Sequence, residues 1–405
     1  MSEAVLTLDM VRVARQRMAG AAHITPLEYS HTFSRLTGNN VFLKLENTQK
    51  TGSFKIRGAY NKVMSLSGEE KARGVIAASA GNHAQGVAYA AARAGLTSAI
   101  VMPEGAPISK IMAARGYGAQ VILAGGGYDE AYHRALELQA TSGATFIHGF
   151  DDVEIMAGQG TIALELLEQM PDLEAVLVPV GGGGLIAGIS LAIKKSKPSV
   201  RIIGVQAGGA PAMYRSYREG ALIESSNTST FADGIAIRRP GKLAFEIIRS
   251  YVDDIITVDD EEIAGAILML LERSKLVVEG AGAVGLASLI YHKTSLTGAN
   301  TAVVLSGGNI DVNILSIIIE RGLAKSGRYV RLRTTLTDRP GSLQKLLSVV
   351  AQTHANVISI NHDRIRPGIP LKQAEVQLDL ETRDQEHIQE IVSILKKSNY
   401  LPEII

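Results

Sequence analysis

An α/β protein with two open parallel sheets, followed by a smaller α+β unit, is the fold class predicted by this 405-residue sequence. Three observations predict it. Short runs rich in Val, Ile and Ala alternate with helix-like segments before residue 330, as parallel strands covered on both faces do. Glycine is confined to the same region: 39 of the 41 lie in residues 1–330, and only Gly341 and Gly368 follow. The length also exceeds what one hydrophobic core usually organises. The change in composition and the polar connector Lys325-Ser326-Gly327-Arg328 put a boundary near residue 328, with one domain over 1–327 and another over 328–405.

In order, strands are expected at Val41–Leu45, Val75–Ala78, Ser98–Met102, Gln120–Leu123, Ala175–Val180, Arg201–Val205 and Thr301–Leu305. One sheet would be inserted as a smaller subdomain over about residues 45–150, and the rest would form the second. A cleft between them is the natural site for chemistry. The tail predicts strand Val330–Leu336, helix Ser342–His354, strands Val357–His362 and Leu371–Leu380, and helix Asp384–Lys397. Leu343, Leu346, Leu347 and Val350 make a helical stripe there, while Ala374, Val376, Leu378 and Leu380 alternate as in a half-buried strand.

Charge narrows the function classes. Lys plus Arg (41) nearly balance Asp plus Glu (40), so no net field draws in nucleic acid or an anionic membrane. Aromatic residues are 5% and Trp is absent, which weighs against a base-stacking surface. With no Cys, disulfides, thiolate metal sites and Cys nucleophiles drop out, and a cytoplasmic location is the expectation. Glu3 and Asp9 follow Met1 where a secretory signal would carry basic and apolar residues. The uncharged stretches Val75–Ala92 and Ala175–Ile193 carry several glycines and are better strand–turn–helix units than membrane spans.

Four segments carry chemistry. In Lys50-Thr51-Gly52-Ser53-Phe54-Lys55-Ile56-Arg57-Gly58, Lys55 is flanked by apolar residues, where desolvation makes an amine a usable nucleophile or base. A surface lysine at a helix start is the other reading. Val178-Pro179-Val180-Gly181-Gly182-Gly183-Gly184-Leu185 ends a strand on four glycines before a helix, a backbone able to approach a phosphate, or a turn with no ligand. Gly182, Gly184 and Ala187 have dinucleotide spacing, but the following strand runs into Gln206 where an acidic residue is needed, which disfavours a nicotinamide cofactor. The loop Ser79-Ala80-Gly81-Asn82-His83 could hold a carboxylate on successive amides, with Ser79 and Asn82 as helix caps the alternative. Leu305-Ser306-Gly307-Gly308-Asn309 places a hydroxyl at a strand end.

Together, in this order and spacing, these segments resemble the fold-type II pyridoxal-phosphate enzymes of the serine/threonine dehydratase group, whose catalytic fold is tryptophan synthase beta-like. The resemblance covers roughly residues 5–320. It implies that Lys55 forms the Schiff base with pyridoxal 5'-phosphate, Phe54 lies against the ring and Asn82 bonds the phenolic oxygen. It further implies that Gly181, Gly182, Gly183, Gly184 and Leu185 cradle the phosphate, that Ser306 faces the pyridine nitrogen, and that Ser79, Ala80, Gly81, Asn82 and His83 bind substrate. A hydroxyl opposite that nitrogen keeps the ring a weaker electron sink, which favours prompt β-elimination. The expected reaction is threonine to 2-oxobutanoate and ammonia, and serine to pyruvate. The alternatives are a serine racemase, a threonine synthase or an inert amino-acid sensor. Racemases of this group resemble the 79–83 loop but carry a serine at the position of Ala80. The metal-site carboxylates of that branch are only partly matched, with Asp233 present and Ser229 where another would stand, so no metal is expected. Glu279 is a further candidate, either orienting a ligand or capping a helix.

The turn Leu336-Thr337-Asp338-Arg339-Pro340-Gly341-Ser342-Leu343 resembles the start of an ACT regulatory domain, a ferredoxin-like α+β unit. The resemblance implies a small amino-acid effector bound through Gly341, Asn356, Val357 and Ile358, in a homotetramer or homodimer. The alternative for the turn is a plain strand–turn–helix joint capped by Ser342.

Overall fold

The computed structural model describes residues 5–405, which divide into two compact units between Ile310 and Asp311. The described residues form fourteen strands: β1 (Leu27–Tyr29), β2 (Asn40–Lys44), β3 (Val75–Ala78), β4 (Ser98–Met102), β5 (Gln120–Leu123), β6 (Thr145–Phe146), β7 (Ala175–Pro179), β8 (Arg201–Ala207), β9 (Asp254–Val258), β10 (Asn300–Val304), β11 (Tyr329–Thr337), β12 (Asn356–Asp363), β13 (Gln373–Glu381) and β14 (Glu403–Ile404).

The first unit holds a six-stranded sheet of order β1-β2-β10-β7-β8-β9 and a four-stranded sheet of order β5-β4-β3-β6. Every neighbouring pair is parallel except β1 with β2, where Leu27 faces Lys44 in antiparallel register. The all-parallel expectation fails at that one edge, where the chain turns back through the short helix His31–Thr37 and brings β2 alongside β1 in the opposite direction. Strands β3 and β7 are buried along their whole length, since helices cover both faces. The two stretches long enough to span a bilayer break after β3 and β7 into the helices Asn82–Ala94 and Gly184–Ser196. No helix among the described residues is long and apolar enough to cross a membrane.

Topology places the turns that matter. Strands β2, β10 and β7 are adjacent and parallel, so the segments leaving their carboxyl ends, Glu46–Phe54, Ser306–Asn309 and Gly181–Gly184, emerge on one edge of the sheet. Ligands of open α/β sheets bind at such an edge. The Ser79–Gly81 loop leaves the carboxyl end of β3 in the smaller sheet.

The second unit contains the helix Val312–Lys325 and an antiparallel sheet of order β12-β13-β11-β14, with the helices Ser342–Ala351 and Gln385–Lys397. Alternate residues of β11 and β13 are buried, and Val330, Leu332, Leu346, Val376, Leu378, Ile391 and Leu395 form its core. Helix Ser342–Ala351 starts from Gly341 in the left-handed region (φ 84°) with no side-chain cap, so Ser342 is not the cap. Asn356, Val357 and Ile358 lie on the edge strand β12, where the register shifts between Val357 and Ser359 and leaves Ile358 58% exposed.

Candidate active site

Helix Lys55–Ser65 begins where the segment after β2 turns back across the sheet edge, and Lys55 is its first residue. The Lys55 Nζ donates to the carbonyl of Gly149 at 2.6 Å and lies 5.4 Å from the centre of the Phe54 ring. Burial pushes the amine down to about 8, against the opposing charge of Glu279. The next residue, Phe150, covers the glycine turn. A methyl group on Gly182 would stand 2.4 Å from its ring, and one on Gly184 2.5 Å from its carbonyl oxygen. Gly183 sits at φ 100°, so this turn requires glycine on both steric and conformational grounds. Helix Gly184–Ser196 then starts with no side-chain cap, leaving its first amides for an anion. Leu185 is buried in that first turn.

The Ser79–Asn82 loop is similar in kind. Ser79 Oγ accepts from the Gly81 amide at 3.1 Å, Gly81 occupies the cap position, and no side chain caps helix Asn82–Ala94. The capping alternative for Ser79 and Asn82 is therefore set aside. Asn82 instead donates from Nδ2 to Glu279 Oε1 at 2.7 Å. Ala80 and Gly81 are half-buried beside it. His83 turns away: it is 5% exposed, and its Nε2 pairs with the carbonyl of Ile147 at 2.8 Å. Burial and the Lys55 charge pull its pKa down to about 3, so the ring is neutral and only its backbone is available to the loop.

Glu279 stands at the cap position of helix Gly280–Ile290 but makes no capping bond. Its side chain is 4% exposed, and burial together with the charge of Asp233 raises it to about 7, although the Asn82 bond opposes this. Gly307 has room for no side chain, since a methyl there would lie 2.4 Å from Glu279 Oε1. Ser306 is buried, and its carbonyl accepts from the Phe54 amide at 3.0 Å. The structure thus gathers Phe54, Lys55, Asn82, Glu279 and Ser306 with the 306–309 turn, and Phe150 connects Lys55 to the glycine turn. Asp233 is paired with Lys110 Nζ at 2.6 Å, Ser229 spends its amide on Gly209 O, and no metal-binding group of three His, Asp or Glu occurs among the described residues.

Two features of the site are absent from the sequence reading. Asn309 bonds both Asn82 and the carbonyl of Thr51, and Arg57 lies in a fully buried ionic network with Lys44, Glu46 and Glu165. Asn309 closes the Leu305–Asn309 segment, but nothing in the sequence gives its partners.

A family model for pyridoxal-phosphate dependent enzymes matches residues 19–307, and one for the ACT domain matches residues 325–403. The L-threonine ammonia-lyase of Thermotoga maritima is 51% identical over 401 residues, which is 99% of this chain and 100% of that one. The L-threonine ammonia-lyase of Geobacter sulfurreducens is 48% identical over the same shares. Among solved structures, maize serine racemase superposes with a TM-score of 0.75 at 36% identity, over 80% of this chain and 99% of the racemase. The uncapped glycine turn, the desolvated lysine and these full-length similarities agree that the chain belongs to the pyridoxal-phosphate dependent enzymes and carries a C-terminal ACT domain.

Proposed function

We propose that this enzyme is an L-threonine ammonia-lyase that converts L-threonine to 2-oxobutanoate and ammonia, and L-serine to pyruvate. The observation that carries the reading is the placement of the Lys55 amine, 5.4 Å from the centre of the Phe54 ring and bonded to the Gly149 carbonyl at 2.6 Å, where desolvation lowers its pKa. Full-length similarity to two threonine ammonia-lyases supports the substrate.

The residues present fit pyridoxal phosphate. Gly181–Gly184 pack so closely against Ile235, Phe150 and Met213 that no Cβ fits, which holds the turn in one backbone shape with its amides free of side chains. The uncapped helix behind it favours the phosphate dianion. Phe54 would flank the ring, Asn82 would donate to its phenolic oxygen, and Ser306 would face its nitrogen. When bound, the cofactor supplies an electron sink for charge developing at the substrate Cα. The chain does the rest. The amides of the Ser79–Asn82 loop hold the substrate carboxylate, and Lys55 Nζ, neutral in a large fraction of molecules near its lowered pKa, takes the Cα proton. Glu279 orients Asn82 through their hydrogen bond.

Racemisation needs a proton donor on the opposite side of the cleft, and Ala80 offers none. Ala80→Ser is expected to raise racemase activity, read as D-serine formed from L-serine by chiral chromatography; no D-serine from a folded variant would remove Ala80 as the discriminating residue. The principal test of the function is 2-oxo acid production from L-threonine and L-serine. Production from neither substrate would refute the reading.

The same reading gives the ACT domain a small amino-acid effector, bound at Gly341, Asn356, Val357 and Ile358, and places the enzyme in the cytoplasm. The exposed edge strand β12, with Ile358 58% and Ile360 40% exposed, supports pairing between copies into a homodimer or homotetramer. L-isoleucine is the first effector to assay, and light scattering reports the assembly.

A further inference from the structure

Asn309 follows β10 and reaches back over Gly52, where a methyl group would stand 2.3 Å from its Oδ1. Its Nδ2 donates to the backbone carbonyl of Thr51 at 2.8 Å and to Asn82 Oδ1 at 2.7 Å. The first of these bonds removes an ambiguity. A backbone carbonyl can only accept, so the group facing Thr51 must be the NH2 of Asn309. Its second hydrogen then points at Asn82, and the Asn82 atom that meets it must be oxygen. The Asn82 NH2 is consequently turned the other way, where Glu279 Oε1 accepts one hydrogen at 2.7 Å. One N–H of Asn82 is left over. Flipped, the same amide would press its oxygen against the Glu279 carboxyl and offer the cleft no donor.

We propose that Asn309 is a positioning residue that fixes which end of the Asn82 amide faces the cleft, so that Asn82 always presents N–H to an anionic oxygen of the bound cofactor. The orientation is transmitted from an invariantly accepting group, the Thr51 carbonyl, through one side chain to another. Gly52, at φ 71°, gives Asn309 the room to do so. This rests on the reading of Asn82 given above, and it assigns to Asn309 a task that the reading does not contain.

The test is a double-mutant cycle on the full-length holoenzyme, read as the dissociation constant of pyridoxal phosphate by equilibrium dialysis and as kcat with L-threonine. Asn309→Ala is expected to weaken cofactor binding about tenfold, the worth of one good hydrogen bond, and to lower kcat by a similar factor. In an Asn82→Ala background the same substitution should change affinity less than about twofold, because the group it positions is gone. Asn309→Asp keeps the shape but cannot donate, so it should behave as the alanine variant does; it carries the cycle by itself if the alanine protein does not fold. Wild-type affinity in Asn309→Asp, or effects of Asn309 and Asn82 that multiply, would overturn the proposal. Cofactor affinity is read without substrate, so an error in the threonine assignment and an error here appear in different measurements.

Discussion

Lys55→Ala is expected to stop 2-oxobutanoate formation from L-threonine, lowering kcat by about 10³-fold or more, while the protein keeps its fold. The fold survives because the side chain holds little in place: its ammonium makes one hydrogen bond, to the Gly149 carbonyl. Desolvating it is a cost to the folded state, as the drop from 10.5 to about 8 records. The sign of the pH dependence follows. Between those two values the unfolded chain binds more protons than the folded one, so stability of the cofactor-free protein rises as pH increases from about 8 to 10.5. Below that window both states are protonated and the full penalty applies. Lys55→Ala removes this slope, which melting temperatures across the window would show. Borohydride reduction of the wild-type holoenzyme should leave a pyridoxyl group on the peptide containing Lys55. A label on another lysine, or a Lys55→Ala enzyme with more than about a hundredth of wild-type activity, would take the role away from this residue.

Lys55 is legible in the sequence because Phe54 and Ile56 flank it, and its surroundings are mostly aliphatic runs whose pattern gives the strands. Each of the seven strands expected in the first unit is present within a residue or two at its ends. The strands of the first unit that are not anticipated escape for two reasons. β1 and β6 span three and two residues, too short for a period to register, and β9 begins on Asp254 with an irregular burial pattern because it is an edge. The site divides in the same way. Glycine turns and a lysine in an apolar run advertise local geometry, whereas the acidic neighbour that opposes the lowering of Lys55 and the asparagine that holds Asn82 arrive from distant segments. Glu279 looked as much like a helix cap as a site residue, and only its bond to Asn82 separates the two. Charged residues mislead most: Lys44, Glu46, Arg57 and Glu165 carry the composition of a solvated surface and are all at most 4% exposed.

That buried network sets the second large effect, in stability. Arg57, in the first turn of the helix that Lys55 opens, donates to both Glu46 oxygens at 2.8 and 2.7 Å and to both Glu165 oxygens at 2.5 and 3.0 Å. Its remaining bonds reach Thr161 Oγ1 and the His23 carbonyl. Burial alone would lower the guanidinium's pKa, but the two carboxylates outweigh it and keep the group charged. Lys44 completes the set with Glu165 at 2.6 Å and Thr25 O at 2.7 Å, so two cations face two carboxylates with no net charge. The bidentate geometry suits arginine and no other side chain. Arg57→Met keeps the apolar stem and leaves two buried carboxylates sharing one ammonium, which should destabilise the first unit by about 3–5 kcal/mol. In a unit of this size the melting temperature should fall by about 5–10 °C. Arg57→Lys should fall between, since a single ammonium cannot span both partners. Glu46 precedes the segment that delivers Lys55, so the loss should also appear as a lower kcat at temperatures where the variant is folded. A melting temperature within about 2 °C of wild type for Arg57→Met would mean that water reaches the carboxylates and that this cluster does not anchor the helix.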